Sequence, residues 1–171
     1  MATMIGASHA FAATEGATAS KKIHYRGGLV VFAIPEPWIE EYEPEGGGIF
    51  YQPGEDTATL RLNVITATRP SSSGALSGKQ VLSSIGYPAS EILSNGNAIS
   101  KGIRRGTERG TPITIFWWHL VNVVSPQQVR VATFTYTVFS SSERSASTIA
   151  ELSFVEDSVR SADFTPDGGK H

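Results

Sequence analysis

Two long runs near the C-terminus constrain this chain more than any other feature. Residues 113–124 and 129–139 are rich in β-branched and aromatic side chains, and only Ser125-Pro126-Gln127-Gln128 separates them. Such a pair reads as a hairpin of long strands. The stretch that follows, residues 145–162, changes period: Ile149, Leu152, Val155 and Val159 recur at helical spacing, with Glu151, Glu156 and Arg160 off that face. Strands closed by one helix, without βαβ alternation, predict an α+β fold with a mostly antiparallel sheet. The C-terminal helix packs on one face and a short helix lies elsewhere.

Shorter elements fit the same plan. Residues 23–26 and 29–34 flank Gly27-Gly28, and Pro35 and Pro37 end the second run. Residues 57–68 alternate, with Ala58, Leu60, Leu62 and Val64 on one face and Thr57, Thr59, Arg61 and Asn63 on the other, as in a half-buried strand. A short helix is expected over 75–85, weakened by Gly78. Asn95-Gly96 predicts a type I′ turn between residues 91–94 and 97–105. Arg109-Gly110-Thr111-Pro112 turns the chain again.

The 171 residues suffice for one domain, and the 40% hydrophobic content supports a core. We expect the domain over 22–165, a disordered or processed N-terminal tail over 1–21 and a flexible tail over 166–171. Ala10-Phe11-Ala12 resembles a signal-peptide cleavage site, but no basic region precedes it, and Gly6, Ser8 and His9 interrupt the apolar stretch. The expectation is therefore cytoplasmic, or secreted or periplasmic if residues 1–12 end a signal peptide. No apolar run approaches the roughly 20 residues of a membrane-spanning helix. The net charge of -2 argues against a general nucleic-acid binder. The absence of cysteine removes thiolate chemistry and disulfides.

Counting back from a four-residue loop pairs Val124 with Val129, and so Trp117 with Tyr136, His119 with Phe134 and Ile115 with Val138. One face is then apolar and receives the C-terminal helix. The other is mixed. It carries Phe116, Trp118, Arg61, Asn63, Thr133, Thr135 and Thr137, and these are the expected partner-binding residues.

Other candidate chemistry falls away. The stretch 73–80 departs from a phosphate-binding loop, since three residues separate Gly74 from Gly78 and Gln80 replaces the hydroxyl that would hold magnesium. It also misses the G-x-S-x-G elbow by one place. His24 and His119 lack partners at metal-binding spacing. Glu36, Glu40, Glu41, Glu43, Glu45, Glu55 and Asp56 occur with no cation between them, and Lys101, Arg104, Arg105 and Arg109 form a basic counterpart. Mutual pairing or two solvated faces accounts for both groups better than a metal or catalytic site.

The segment 29–62 carries a resemblance. Val31-Phe32-Ala33-Ile34-Pro35-Glu36-Pro37-Trp38, then Gly46-Gly47-Gly48-Ile49-Phe50-Tyr51, then Thr59-Leu60-Arg61-Leu62 resembles the opening of PsbP-like α/β/α sandwich proteins. That group includes the Ran-binding Mog protein, DcrB lipoproteins and type VI secretion effector chaperones. The resemblance implies a sandwich that acts by binding, without catalysis or cofactor. We therefore expect a non-enzymatic protein-binding module, such as an adaptor, chaperone or immunity-type protein, that engages another polypeptide or itself. The alternatives are a small hydrolase using the acidic stretch 36–56 and a homo-oligomeric structural subunit.

Overall fold

Alternation of apolar and polar residues builds seven strands into one antiparallel sheet. The structure is a computed structural model that describes residues 19–70 and 74–165. Its elements are β1 (Ser20–Tyr25), β2 (Val30–Pro35), β3 (Ile39–Tyr42), β4 (Gly48–Tyr51), β5 (Thr59–Thr68), α1 (Gly78–Ser84), β6 (Glu91–Ile92), β7 (Ala98–Glu108), β8 (Thr111–Ser125), β9 (Gln128–Phe139) and α2 (Ala146–Arg160). The large sheet runs β3-β4-β5-β9-β8-β7-β6, and β1 and β2 form a separate hairpin. The fold is α+β, as expected. Residues 1–18, 71–73 and 166–171 lie outside the described residues, and with them most of the expected N-terminal tail and all of the C-terminal one. Ser20 and Lys21, assigned above to the tail, are the first residues of β1.

One face of the sheet is covered by α2 and the β1–β2 hairpin, and the main core lies between. Leu60, Leu62, Phe116, Trp118, Leu120, Phe134 and Tyr136 project into it from the sheet. Phe32 of the hairpin meets Phe50 and Phe134 edge-on, each at 5.2 Å between ring centroids. Trp38 sits just past the Pro35–Pro37 corner. It is 3% exposed and lies parallel to Tyr136 at 6.4 Å. The Tyr136 hydroxyl donates to Glu151 Oε2 on α2 at 2.8 Å.

Helix α2 starts at Ser145, whose hydroxyl accepts from the Thr148 amide. Its inward positions are Val155, Ser158 and Val159. Ser158 ties the helix to β2: its hydroxyl accepts from the Ala33 amide at 2.9 Å and donates to the Ala33 carbonyl at 2.7 Å. Ile149, expected on the inward face, is 55% exposed, because α2 reaches the hairpin with its later turns. Beyond the helix, Asp163 and Val31 exchange two backbone hydrogen bonds.

The second helix is shorter than expected. Its capping box joins Ser77 and Gln80 reciprocally. Gly78 is buried rather than a weak point in an exposed helix. A Cβ there would stand 2.7 Å from the Ala98 Cβ, so the glycine lets α1 rest on the sheet. The type I′ geometry also lies elsewhere than expected. Gly96 alone has positive φ in the Asn95-Gly96 turn, whereas Arg109 and Gly110 both have it, at 48° and 85°. Asn95 instead directs its amide to the Arg160 and Ala162 carbonyls at the end of α2.

Candidate functional site

The face away from α2 is where the sheet meets solvent, and its side chains follow from the register. Three cross-strand rows span β5, β9, β8 and β7. The first is Thr59, Thr137, Ile115 and Arg104; the second is Arg61, Thr135, Trp117 and Gly102; the third is Asn63, Thr133, His119 and Ser100. A fourth row, Ile65, Val131, Val121 and Ala98, runs toward α1. There Val81 and Leu82 of the helix close a small second core on Ala98, Val121 and Val129. Seven helical residues span only about two turns, so the helix leaves the first three rows uncovered, while the segment after it closes over Ser100 at the end of the third, whose hydroxyl donates to the Ala89 carbonyl at 2.7 Å.

The residue that joins α1 to these rows is Tyr87. Its ring lies 4.0 Å from the His119 ring and 5.1 Å from that of Trp117, and Trp117 and His119 are themselves 5.1 Å apart. His119 is held further by a 3.0 Å hydrogen bond between Nδ1 and Thr133 Oγ1. Burial, and to a lesser degree the cation of Arg104, hold its pKa below the usual histidine value. Next to this aromatic cluster lies a groove of about 470 Å³ whose lining includes Thr59, Arg61, Arg104, Ile115, Thr135 and Thr137. Four threonines, two arginines and Glu108 supply its polar lining.

The structure brings together five of the seven expected partner-binding residues: Arg61, Asn63, Thr133, Thr135 and Thr137. It separates Phe116 and Trp118 from them. Those two are 8% and 2% exposed, and they lie in the core beneath α2. The cause is one residue. The turn is Pro126-Gln127 with Ser125 paired to Gln128, and a bulge between Val123 and Ser125 leaves Val124 outside the ladder. Trp117 therefore faces Thr135, Phe116 faces Tyr136 and Trp118 faces Phe134, instead of the pairs expected from a four-residue loop. The aromatic residues of the open face are Trp117, His119 and Tyr87, which sequence reasoning assigned to the core or passed over. The available signal was in β9 itself: Thr133, Thr135 and Thr137 alternate with Phe134 and Tyr136, and only the odd set suits solvent.

The acidic stretch does not converge on a point. Glu40 pairs with Lys21 at 3.2 Å and accepts from the Tyr42 hydroxyl, which is pushed up to about 12 by burial and then by that bond. Glu41 accepts from Tyr51, and Glu43 lies 3.9 Å from Arg61. Among the described residues no three His, Asp or Glu side chains gather as ligands for a metal ion. The basic group sits near the opposite edge of the sheet, on β7 and its turn, so of the two expected arrangements, mutual pairing or two solvated faces, the first is not formed. Lys101 pairs with Glu156 and Arg105 with Glu143 instead. No described helix is long and apolar enough to cross a membrane.

No protein-family description matches the chain, and no curated protein matches it. Solved structures do. A protein of Bacteroides thetaiotaomicron is 18% identical with a TM-score of 0.59 over 88% of this chain and 50% of its own, so the chain spans half its length. LpqN of Mycobacterium tuberculosis, described as involved in cell envelope biogenesis, is 13% identical with a TM-score of 0.55 over 86% of this chain and 91% of its own. The cyanobacterial PsbP of Synechocystis also matches, 13% identical over 94% of this chain and 99% of its own, with a TM-score of 0.40. The first two matches accord with the α+β sandwich expected from the resemblance of residues 29–62. The first two carry the likeness, and it is a likeness of fold.

Proposed function

We propose that the chain is a non-enzymatic module that binds another polypeptide on the three open rows of its sheet. The observation that carries this reading is the cluster of Trp117, His119 and Tyr87 beside a groove whose lining includes threonines, Arg61 and Arg104. Large aromatic residues and arginine beside small hydroxyl groups make up the composition of protein contact surfaces, in which aromatic anchors supply most of the binding energy. Supporting binding over catalysis, Glu40, Glu41 and Glu43 of the acidic stretch are engaged by Lys21, Tyr51 and Arg61.

The test compares wild-type protein with Thr135→Arg, which places a long cation in the middle of the open face while leaving the core untouched. Both are used as bait in extract of the native host after their melting temperatures are shown to agree. A polypeptide retained by the wild type and lost from Thr135→Arg supports the reading. Identical retained sets from the two baits reject it.

A further inference from the structure

The sheet has a second feature suited to a polypeptide, and it is independent of the open face. Strand β7 lies next to the end of the sheet, yet its neighbour β6 pairs with only Ala98 and Ile99. Among the described residues, nothing pairs with Lys101–Glu108 on that side, although every one of these residues pairs with β8 on the other. The direction of the free groups follows from the turn. Leu93 donates its amide to the Asn97 carbonyl at 2.8 Å, so Asn97 presents its backbone away from β8. Alternation along a regular strand carries the same direction to Lys101, Ile103, Arg105 and Thr107.

Exposed edges of this length are usually blunted by a bulge, a proline or charge. This one has no proline and no register shift against β8. Two of its cations are drawn onto the body of the protein, Lys101 to Glu156 on α2 and Arg105 to Glu143. Between them Ile103 is 59% exposed. Below it, between β7 and α2, runs a groove of about 330 Å³ lined chiefly by Ile103, Phe116, Trp118 and Leu152. The buried indole N–H of Trp118 has no acceptor among the described residues.

We propose that the β7 edge takes up an acidic, extended segment of another polypeptide as an added strand, with an apolar side chain seated in the groove beside Ile103. An extended backbone is the ligand that satisfies a row of outward amides and carbonyls at strand spacing. Charge selects its character. Strand and turn carry Lys101, Arg104, Arg105 and Arg109 against Glu108, and Arg104 and Arg109 have no anionic partner among the described residues. The same charges disfavour a second copy of this chain, whose edge would bring like cations together.

The experiment pans a displayed random library, with peptides of about ten residues, against the whole chain. The best sequence is then synthesised and titrated against variants. Expected are enriched sequences that alternate Asp or Glu with apolar residues. Ile103→Pro removes an outward amide that β8 does not use, and it should weaken the synthetic peptide by at least about tenfold. Ile103→Thr, which keeps the amide, should lose much less; Arg109→Glu, outside the open-face groove, should bind more weakly than wild type; Thr135→Arg on the open face should bind normally. Thr107→Pro repeats the test at a second outward amide if Ile103→Pro fails to fold. The proposal is overturned if no peptide is enriched, if the enriched peptides lack acidic residues, or if the proline variants bind as wild type does. Loss on Thr135→Arg with binding kept in Ile103→Pro would also overturn it while leaving the open-face reading intact. Self-association of the chain that Ile103→Pro abolishes would assign the edge to a second copy and overturn it as well.

Discussion

The indole of Trp117 lies over Gly102 of the neighbouring strand. The two are cross-strand partners, and a Cβ on Gly102 would stand 2.7 Å from Trp117 Cε2 and closer still to Cζ2. The missing side chain gives the indole a place to lie. Gly102→Ala should therefore displace Trp117 from Tyr87 at a modest stability cost of about 1 kcal/mol, since the obstructed atoms belong to the far end of a side chain. Tryptophan emission and chemical denaturation would check this together. An unchanged spectrum would show that Trp117 does not rest on Gly102.

The two adjacent tryptophans should differ in how much stability their truncation costs. Trp118→Ala empties a core position and should cost about 3–5 kcal/mol. Trp117→Ala removes a half-buried side chain and should cost about 1–2 kcal/mol, with its main effect on partner binding. Denaturant midpoints of the two variants decide the matter. Equal losses would mean that both faces are core.

Trp38 holds the corner where β2 leads into the acidic segment. Its parallel contact with Tyr136 joins that corner to the central strand β9. Trp38→Ala should lower stability by about 3 kcal/mol or more. A loss below about 1 kcal/mol in a denaturation experiment would contradict its core role.

His119 should titrate below its ordinary value of 6.5, because burial and then Arg104 disfavour the imidazolium. The unfolded chain takes up the proton first as pH falls. The stability His119 contributes is thus complete above about 6.5 and declines as pH drops toward the folded-state midpoint. Glu91 and Glu143 are held below 4.5 by Arg160 and Arg105, so their contribution is lost in a separate, more acidic window. A nuclear magnetic resonance titration of the His119 ring gives its midpoint directly, and His119→Gln should flatten the decline just below 6.5. A midpoint at or above 6.5 would show that the ring is not desolvated.

How much of this was legible in the sequence differs by strand. Strand β5 alternates cleanly, and Leu60 and Leu62 against Arg61 and Asn63 fell on their correct faces because that strand pairs with β9 without a register shift. Strand β8 is apolar or aromatic at almost every position from Ile113 to Val124, so its own pattern names no face. Its assignment rested on loop length alone, and the bulge at Val124 reversed it. The Asn95-Gly96 turn was placed correctly but typed wrongly, because the Asn95 side chain serves the end of α2, a contact 65 residues away. Tyr87 carried no local signal. Its role arises only when α1 folds across the sheet.

The pairing of β5 with β9 also orders events in time. Residues 69–127 separate the two strands, and β9 covers the edge of β5 that β4 leaves free. While a ribosome makes the chain, residues 59–68 wait with that edge bare until residues 128–139 emerge. At roughly 5–20 residues per second the delay is several seconds. The hairpins β3–β4, β7–β8 and β8–β9 close through nearby residues, but joining the two halves of the sheet depends on the slow, distant contact. A nascent chain released before residue 128 would expose an unpaired strand rich in apolar and threonine side chains, which makes the interval before β9 appears the period when the protein is most open to misassembly.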